Sequence, residues 1–217
     1  MPNSPMAQSL ACGALLSDTI GAAGEVDQFT FSGQANNRVT LTLATGGFTV
    51  GSGATATATV FSPAAAMVVT FNANDQQQVT LPATGTYVIQ VRASNFVSTG
   101  SYSLGLECLL PTSPVDATLF CGVLLSDRRV NAAAQVDQFT FSGQANQQVT
   151  LTLATGGFTV GSGATATATV FSPAAAVVVT FNANGQQQLT LADSGTYAIQ
   201  VRASNLVEAA QKFRRPN

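Results

Sequence analysis

The sequence predicts an all-β protein built as two tandem antiparallel β-sandwich domains, the second without its last strand. Three observations predict it. First, short runs such as "VTLTL" and "GTYVIQVRA" alternate apolar and polar residues with period two, the period of a half-buried strand. Second, residues 26–97 and 136–207 align without a gap at an offset of 110, with ten differences in 72 positions. A repeat of ~110 residues is long enough to bury a core of its own, so the copies are domains and not turns of a solenoid. Third, charged residues make up only 8% of the chain, against ~25% in an average globular protein, and Gly, Ala, Thr, Val and Gln take their place. Thr and Val favour strands and Gly marks turns.

Each run is assigned in order. "VDQFTF" places Phe29 and Phe31 on one face and Gln28 and Thr30 on the other. "VTLTL" points Val39, Leu41 and Leu43 inward, and "ATATATVF" points Ala56, Ala58 and Val60 inward with a row of threonines outside. "MVVTF" contributes Met67, Val69 and Phe71, and "QQQVTL" contributes Val79 and Leu81. "GTYVIQVRA" turns Tyr87, Ile89 and Val91 inward and Arg92 outward, and "SYSLGLEC" adds Tyr102, Leu104 and Leu106. Turn signals separate the runs: "SGQANN", "TGGFTVGSG", "SPAAA", "NAND" and "PATG". About seven short strands so spaced read as a sandwich. Only the terminal "VEAAQKF" has any helical character, over two turns.

The flanks set the boundaries. "PNSPMAQSLACG" (Pro2 to Gly13) matches "PTSPVDATLFCG" (Pro111 to Gly122), giving a complete domain over 1–110 and a second over 111–217, joined by the Pro-bearing "PTSPVD". The first copy finishes with "STGSYSLGLECLL", whereas the second departs after Val207 into "EAAQKFRRPN". The second copy is therefore read as truncated with a divergent tail, its sheet edge open to strand addition or self-association.

"VDQFTF", "VTLTL", "ATVFSP", "VTLPATGTYVIQV" and "GSYSLGLE", in that order, resemble the bacterial pre-peptidase C-terminal domain family over nearly all of the first copy and the second up to Val207. The resemblance implies a jelly-roll-like sandwich on a secreted bacterial protein, accompanying a peptidase or other exported enzyme and carrying no catalysis itself. Members often have an Asp-x-Asp strand before the "FSP" turn. Here that stretch is "TATATVFSP", Thr55 to Pro63, without an acid. A calcium site of that type lacks its carboxylates, so no metal is expected.

Cys12 and Cys121 are equivalent by alignment, and Cys108 closes the last strand of the first copy. A Cys12–Cys108 disulfide is the economical pairing. It implies an oxidising compartment and leaves Cys121 an unpaired thiol. The N-terminus has no basic start or continuous apolar run, so a signal peptide is not expected within this sequence. No apolar run is long enough to span a bilayer, and a net charge of −2 offers no field for nucleic acid.

The absence of histidine excludes Ser-His-Asp and Cys-His chemistry. "TGGFTVGSG" lacks the Gly-Lys-Ser/Thr of a phosphate loop and reads as a hinge-like loop. Asp27 and Asp137 are expected to accept turn or backbone hydrogen bonds, and Tyr87 and Tyr197 to pack in the core with satisfied hydroxyls. Arg92 and Arg202, outward at the ends of their strands, are the candidate ligand contacts. The expected function is a non-catalytic, cofactor-free extracellular module of a larger secreted or surface protein: a spacer, stabilising or binding domain. The alternative is an adhesin module for extracellular polysaccharide or protein.

Overall fold

A computed structural model describes residues 7–48, 53–110, 112–113, 115–125, 130, 132–154 and 165–206. The described residues are all β, and the chain divides into two compact units, Met1–Ser113 and Pro114–Asn217.

The first unit contains β1 (Gln8–Ser9), β2 (Ala14–Ile20), β3 (Val26–Gly33), β4 (Arg38–Phe48), β5 (Ala56–Phe61), β6 (Met67–Asn72), β7 (Asp75–Thr80), β8 (Gly85–Ala93), β9 (Gly100–Leu110) and β10 (Thr112–Ser113). One sheet has the order β1-β3-β8-β5-β6; the other runs β10-β9-β4-β7. β2 also pairs with β9, along Gly100–Leu106, so that β2 and β10 share one side of β9 while β4 takes the other.

The alternation read from the sequence fixes which faces meet. Phe29 and Phe31 of β3, Val60 of β5 and Tyr87, Ile89 and Val91 of β8 are buried against Leu41 and Leu43 of β4 and Tyr102, Leu104 and Leu106 of β9 in one core. Phe31 stacks on Tyr87 with centroids 5.1 Å apart. The Tyr87 hydroxyl donates to the Ala83 carbonyl at 2.7 Å and accepts from the Ala83 amide, so its polar end is satisfied inside the sandwich. Gly33 passes so close to the Leu81 side chain that a Cβ there would overlap it.

Three local readings change. Met67 is 68% exposed: the register of β5 against β6 shifts between Val60 and Phe61, and that irregularity takes the first residue of β6 off the inward row. β4 continues to Phe48, so Thr45–Phe48 of the supposed hinge loop are strand, paired with Tyr102, Ser101 and Gly100. Thr112 and Ser113, read as linker, pair back onto Leu109 and Cys108. The N-terminal strands β1 and β2 went unassigned in the sequence because "ALLSDTI" alternates poorly, and its pattern shows only Ile20 fully inside.

The second unit contains β11 (Ala117–Thr118), β12 (Val136–Gly143), β13 (Gln148–Leu153), β14 (Ala166–Phe171), β15 (Val177–Asn182), β16 (Gly185–Thr190) and β17 (Gly195–Ala203). Its five-stranded sheet, β11-β12-β17-β14-β15, repeats that of the first unit strand for strand, and Phe141 stacks on Tyr197 with the same 5.1 Å and 17°. Its other sheet pairs β13 with β16. Among the described residues no strand takes the place that β9 has beside β4. The segment after Val207, with the helical turns expected there, lies outside the described residues.

Candidate functional site

The β2–β3 and β8–β9 loops and the start of β5 meet at one end of the first sandwich, around Arg92. Loops carried by a rigid sheet pair are the usual location of recognition residues. Ser94 donates its amide to the Thr55 carbonyl at 2.8 Å, and Gly24 donates to the Phe96 carbonyl at 2.7 Å, tying the β8–β9 loop to both neighbours. Gly24 reaches this position with φ +77°, open to glycine at no steric penalty. The Glu25 carboxylate accepts from the amides of Gly21 and Ala22, closing the β2–β3 turn. Asn95 Oδ1 accepts from the amides of Val97 and Ser98, and Nδ2 donates to Ser98 Oγ at 2.9 Å. Such side-chain-to-backbone bonds let asparagine hold a turn.

The result is an apolar tip. Phe96 has φ +62°, a conformation that bulky side chains rarely adopt. It is 52% exposed, and Val97 beside it is 67% exposed. The Arg92 guanidinium lies 4.0 Å from the centre of the Phe96 ring and donates to the Ala93 carbonyl at 3.2 Å. Arg92 is thus a brace for Phe96 as well as an outward cation.

Beneath this loop end Asp27 is 8% exposed and accepts from the Tyr102 hydroxyl at 2.7 Å. The expected turn or backbone role for Asp27 gives way to this buried side-chain pair. Burial pushes the Asp27 carboxyl above the usual aspartate range; the Tyr102 hydrogen bond pulls the other way, and Asp18 and Glu25 add to the rise. Burial, then the bond to Asp27, holds the Tyr102 hydroxyl protonated far above its ordinary range. The pair was legible in part. Asp27 shares the i, i+2, i+4 row of Phe29 and Phe31, which marks it as inward, and Tyr102 starts the inward row of β9. Their meeting across two sheets was not legible. Phe96 and Val97 were missed because exposure at a loop tip leaves no periodic signal.

Arg202 of the second unit donates to the Ala203 carbonyl at 3.2 Å, and Ser204 and Leu206 repeat the backbone bonds of their counterparts, to Thr165 and Ala134. The tip differs: Leu206 replaces Phe96 and is 4% exposed. Asp137 accepts from Gln135 Nε2 at 2.7 Å, and Gln135 occupies the position of Glu25.

Cys12 and Cys108 form a disulfide, with Cα atoms 5.4 Å apart, and Cys121 is a free, exposed thiol. Among the described residues no group of three His, Cys, Asp or Glu side chains is placed to hold a metal ion, and no helix is long and apolar enough to cross a membrane.

No family model matches the sequence, and no curated protein matches it. Among solved structures the chain is similar to the Aeromonas hydrophila periplasmic inhibitor of g-type lysozyme, at 23% identity over 47% of this chain and 95% of that one, with a TM-score of 0.37. It is also similar to tripeptidyl peptidase 2, at 10% identity over 91% of this chain and 22% of that one, with a TM-score of 0.29. Likenesses this distant assign no function.

Proposed function

We propose that the chain is a non-catalytic, exported β-sandwich module that binds a protein partner through the loop end of its first unit. The single observation that carries this reading is the Phe96–Val97 tip, two apolar side chains exposed together on a loop bonded to its neighbours. Such a tip loses little conformational freedom on docking, so its burial converts efficiently into affinity. Arg92, stacked on the ring and half-buried, would supply a cationic rim. The Cys12–Cys108 bond supports an oxidising compartment. The resemblance to pre-peptidase C-terminal domains supports an accessory place beside an exported peptidase or other enzyme.

The test is surface plasmon resonance of the full chain against a panel of purified exported proteins and extracellular polysaccharides. At least one protein should bind, and Phe96→Ser should weaken that binding tenfold or more while leaving the unfolding transition of the first unit in place. Binding equally strong in Phe96→Ser, or binding to polysaccharides alone, overturns the proposal.

A further inference from the structure

We propose that the outer edge of the five-stranded sheet, β6 in the first unit and its copy β15 in the second, pairs antiparallel with the same edge of a second copy of this chain. Phe96 takes no part in this contact, so the proposal stands independently of the binding role given to that residue.

Among the described residues β6 and β15 each end their sheet, bonded on one side to β5 and β14. Ala73 donates to the Ala56 carbonyl at 2.8 Å, and Ala183 to the Ala166 carbonyl at 2.7 Å. Bonded and non-bonded pairs alternate along an antiparallel ladder. Val69 and Phe71 therefore direct their amide and carbonyl groups at β5, and Thr70 directs both of its own outward. Thr180 does the same beside β14.

Native sheets protect such edges with short strands, inward-pointing charges, bulges or proline. The first unit does so at its other margins. β1 and β10 are two residues long. β2 carries Asp18 on the row of Leu16 and Ile20, and β7 opens with Asp75. By contrast β6 is "MVVTFN" and β15 is "VVVTFN", six residues each without a charge or a proline. Met67, Val177 and Val178 are 68%, 52% and 41% exposed. The register shift between Val60 and Phe61 affects only the Met67 end of β6 and leaves residues 69–72 regular.

The occupant follows from self-complementarity. Turned about a two-fold axis at Thr70, one β6 sets Thr70 opposite Thr70, Val69 opposite Phe71 and Val68 opposite Asn72 of the other copy. Inward residues meet inward residues, so both cores continue across the seam. Aromatic with β-branched and threonine with threonine are favourable cross-strand pairs. The paired stretch holds no charge, so no like charges meet. On the outer face an uncharged row already crosses the sheet, with Gln28 opposite Gln90, Gln90 opposite Thr59 and Thr59 opposite Thr70. The Thr70 hydroxyl donates to Thr59 Oγ1 at 3.0 Å. In the second unit the Thr169 and Thr180 hydroxyls lie 3.1 Å apart, and Gln200 donates to Gln138 at 2.8 Å. Two-fold pairing carries this row from one copy into the next. A second copy matches it by identity, and an isologous contact needs only the one patch.

The experiment is sedimentation velocity of the full chain from micromolar to millimolar concentration, with Cys121→Ser in every protein so that thiol exchange plays no part. The mass should rise with concentration, and Phe96→Ser should leave that rise unchanged. Thr70→Lys combined with Thr180→Lys sets like charges opposite each other and should weaken association by about tenfold or more, with both unfolding transitions in place. Thr70→Glu combined with Thr180→Glu should do the same. Mixing the lysine and glutamate proteins should restore association, because opposite charges then face across the seam. A parent chain that stays monomeric throughout overturns the proposal. So does a lysine protein that associates as strongly as the parent, or a mixture of the two folded variants that remains monomeric. Association lost in Phe96→Ser would put the contact at the loop tip and overturn it as well.

Discussion

Val39–Leu43 and Val149–Leu153 are the same five residues, "VTLTL", in the same strand position of two nearly identical units. In β4 all five are buried; in β13 the apolar three are half-buried and the threonines exposed. The difference lies in the neighbours. β4 is flanked by β7 and β9; among the described residues β13 is flanked by β16 alone. Alternation tells a strand which face to turn inward. It does not tell it whether anything is there to cover that face. Strands read as equivalent by sequence therefore differ in energy, because burial belongs to the pair and not to the strand.

The sharpest way to break this comparison is to remove the same side chain from both. Leu41→Ala opens a cavity inside a closed core and should cost about 2–5 kcal/mol. Leu151→Ala removes a side chain already in partial contact with water, and should cost less than half as much. Calorimetry of the full chain, following which transition each substitution moves, provides the measurement. Equal losses would mean that β13 is as well covered as β4 and would remove the physical basis for treating the units differently.

A second, smaller effect separates the two buried aspartates. Asp27 has a tyrosine partner from β9, and Asp137 has the amide of Gln135. Tyr102→Phe leaves a buried carboxylate short of one donor, with a loss of about 1–3 kcal/mol in the first unit. The sign of the pH dependence follows from the direction of the shift. The native carboxyl of Asp27 binds its proton more tightly than the unfolded chain does. Its contribution is thus complete below the ordinary aspartate pKa of about 3.9 and is lost as pH rises through the higher native value. The Tyr102 bond lowers that native value, so removing it raises the value further. Tyr102→Phe should therefore cost more at pH 7 than at pH 4, and Asp27→Asn should flatten this part of the profile. A pH-independent loss in Tyr102→Phe would show that the hydroxyl acts by packing alone.

Most of the fold was legible because the strands that matter have clean period two. Phe29, Phe31, Leu41, Leu43, Val60, Tyr87, Ile89, Val91, Tyr102, Leu104 and Leu106 all lie where their alternation places them. The Cys12–Cys108 bond was legible because duplication supplies its own control: two equivalent cysteines, and one partner strand. What escaped has no period. β2 holds its place through pairing with β9, which no local pattern encodes. Met67 sits beside a register shift that alternation cannot anticipate. The Phe96 tip depends on a left-handed residue and an asparagine turn, set by a few bonds between loops distant in sequence.

The finest contrast lies in the β2–β3 turn, where the first unit has Gly24 and the second Ala134, both at positive φ. Each donates its amide to the tip of the facing loop, Gly24 to Phe96 and Ala134 to Leu206. A Cβ on Gly24 would meet nothing within 4 Å, so Gly24→Ala tests backbone strain without packing. The left-handed conformation costs an L-residue about 1–2 kcal/mol, and the reduced freedom of the unfolded chain returns about 0.4–1 kcal/mol of that. The first unit should lose about 1 kcal/mol. The reverse change is not its mirror image. Ala134 is buried, so Ala134→Gly relieves the same strain but gives up a buried methyl group, a loss of about 0.8 kcal/mol. The two nearly cancel, and the second unit should hold its stability to within about 0.5 kcal/mol of the parent, inside the usual range for a substitution that touches no larger feature. Denaturant titration of the full chain resolves both. A gain in Ala134→Gly as large as the loss in Gly24→Ala would show that the Ala134 methyl contributes nothing, and that its burial in the second unit is incidental to stability.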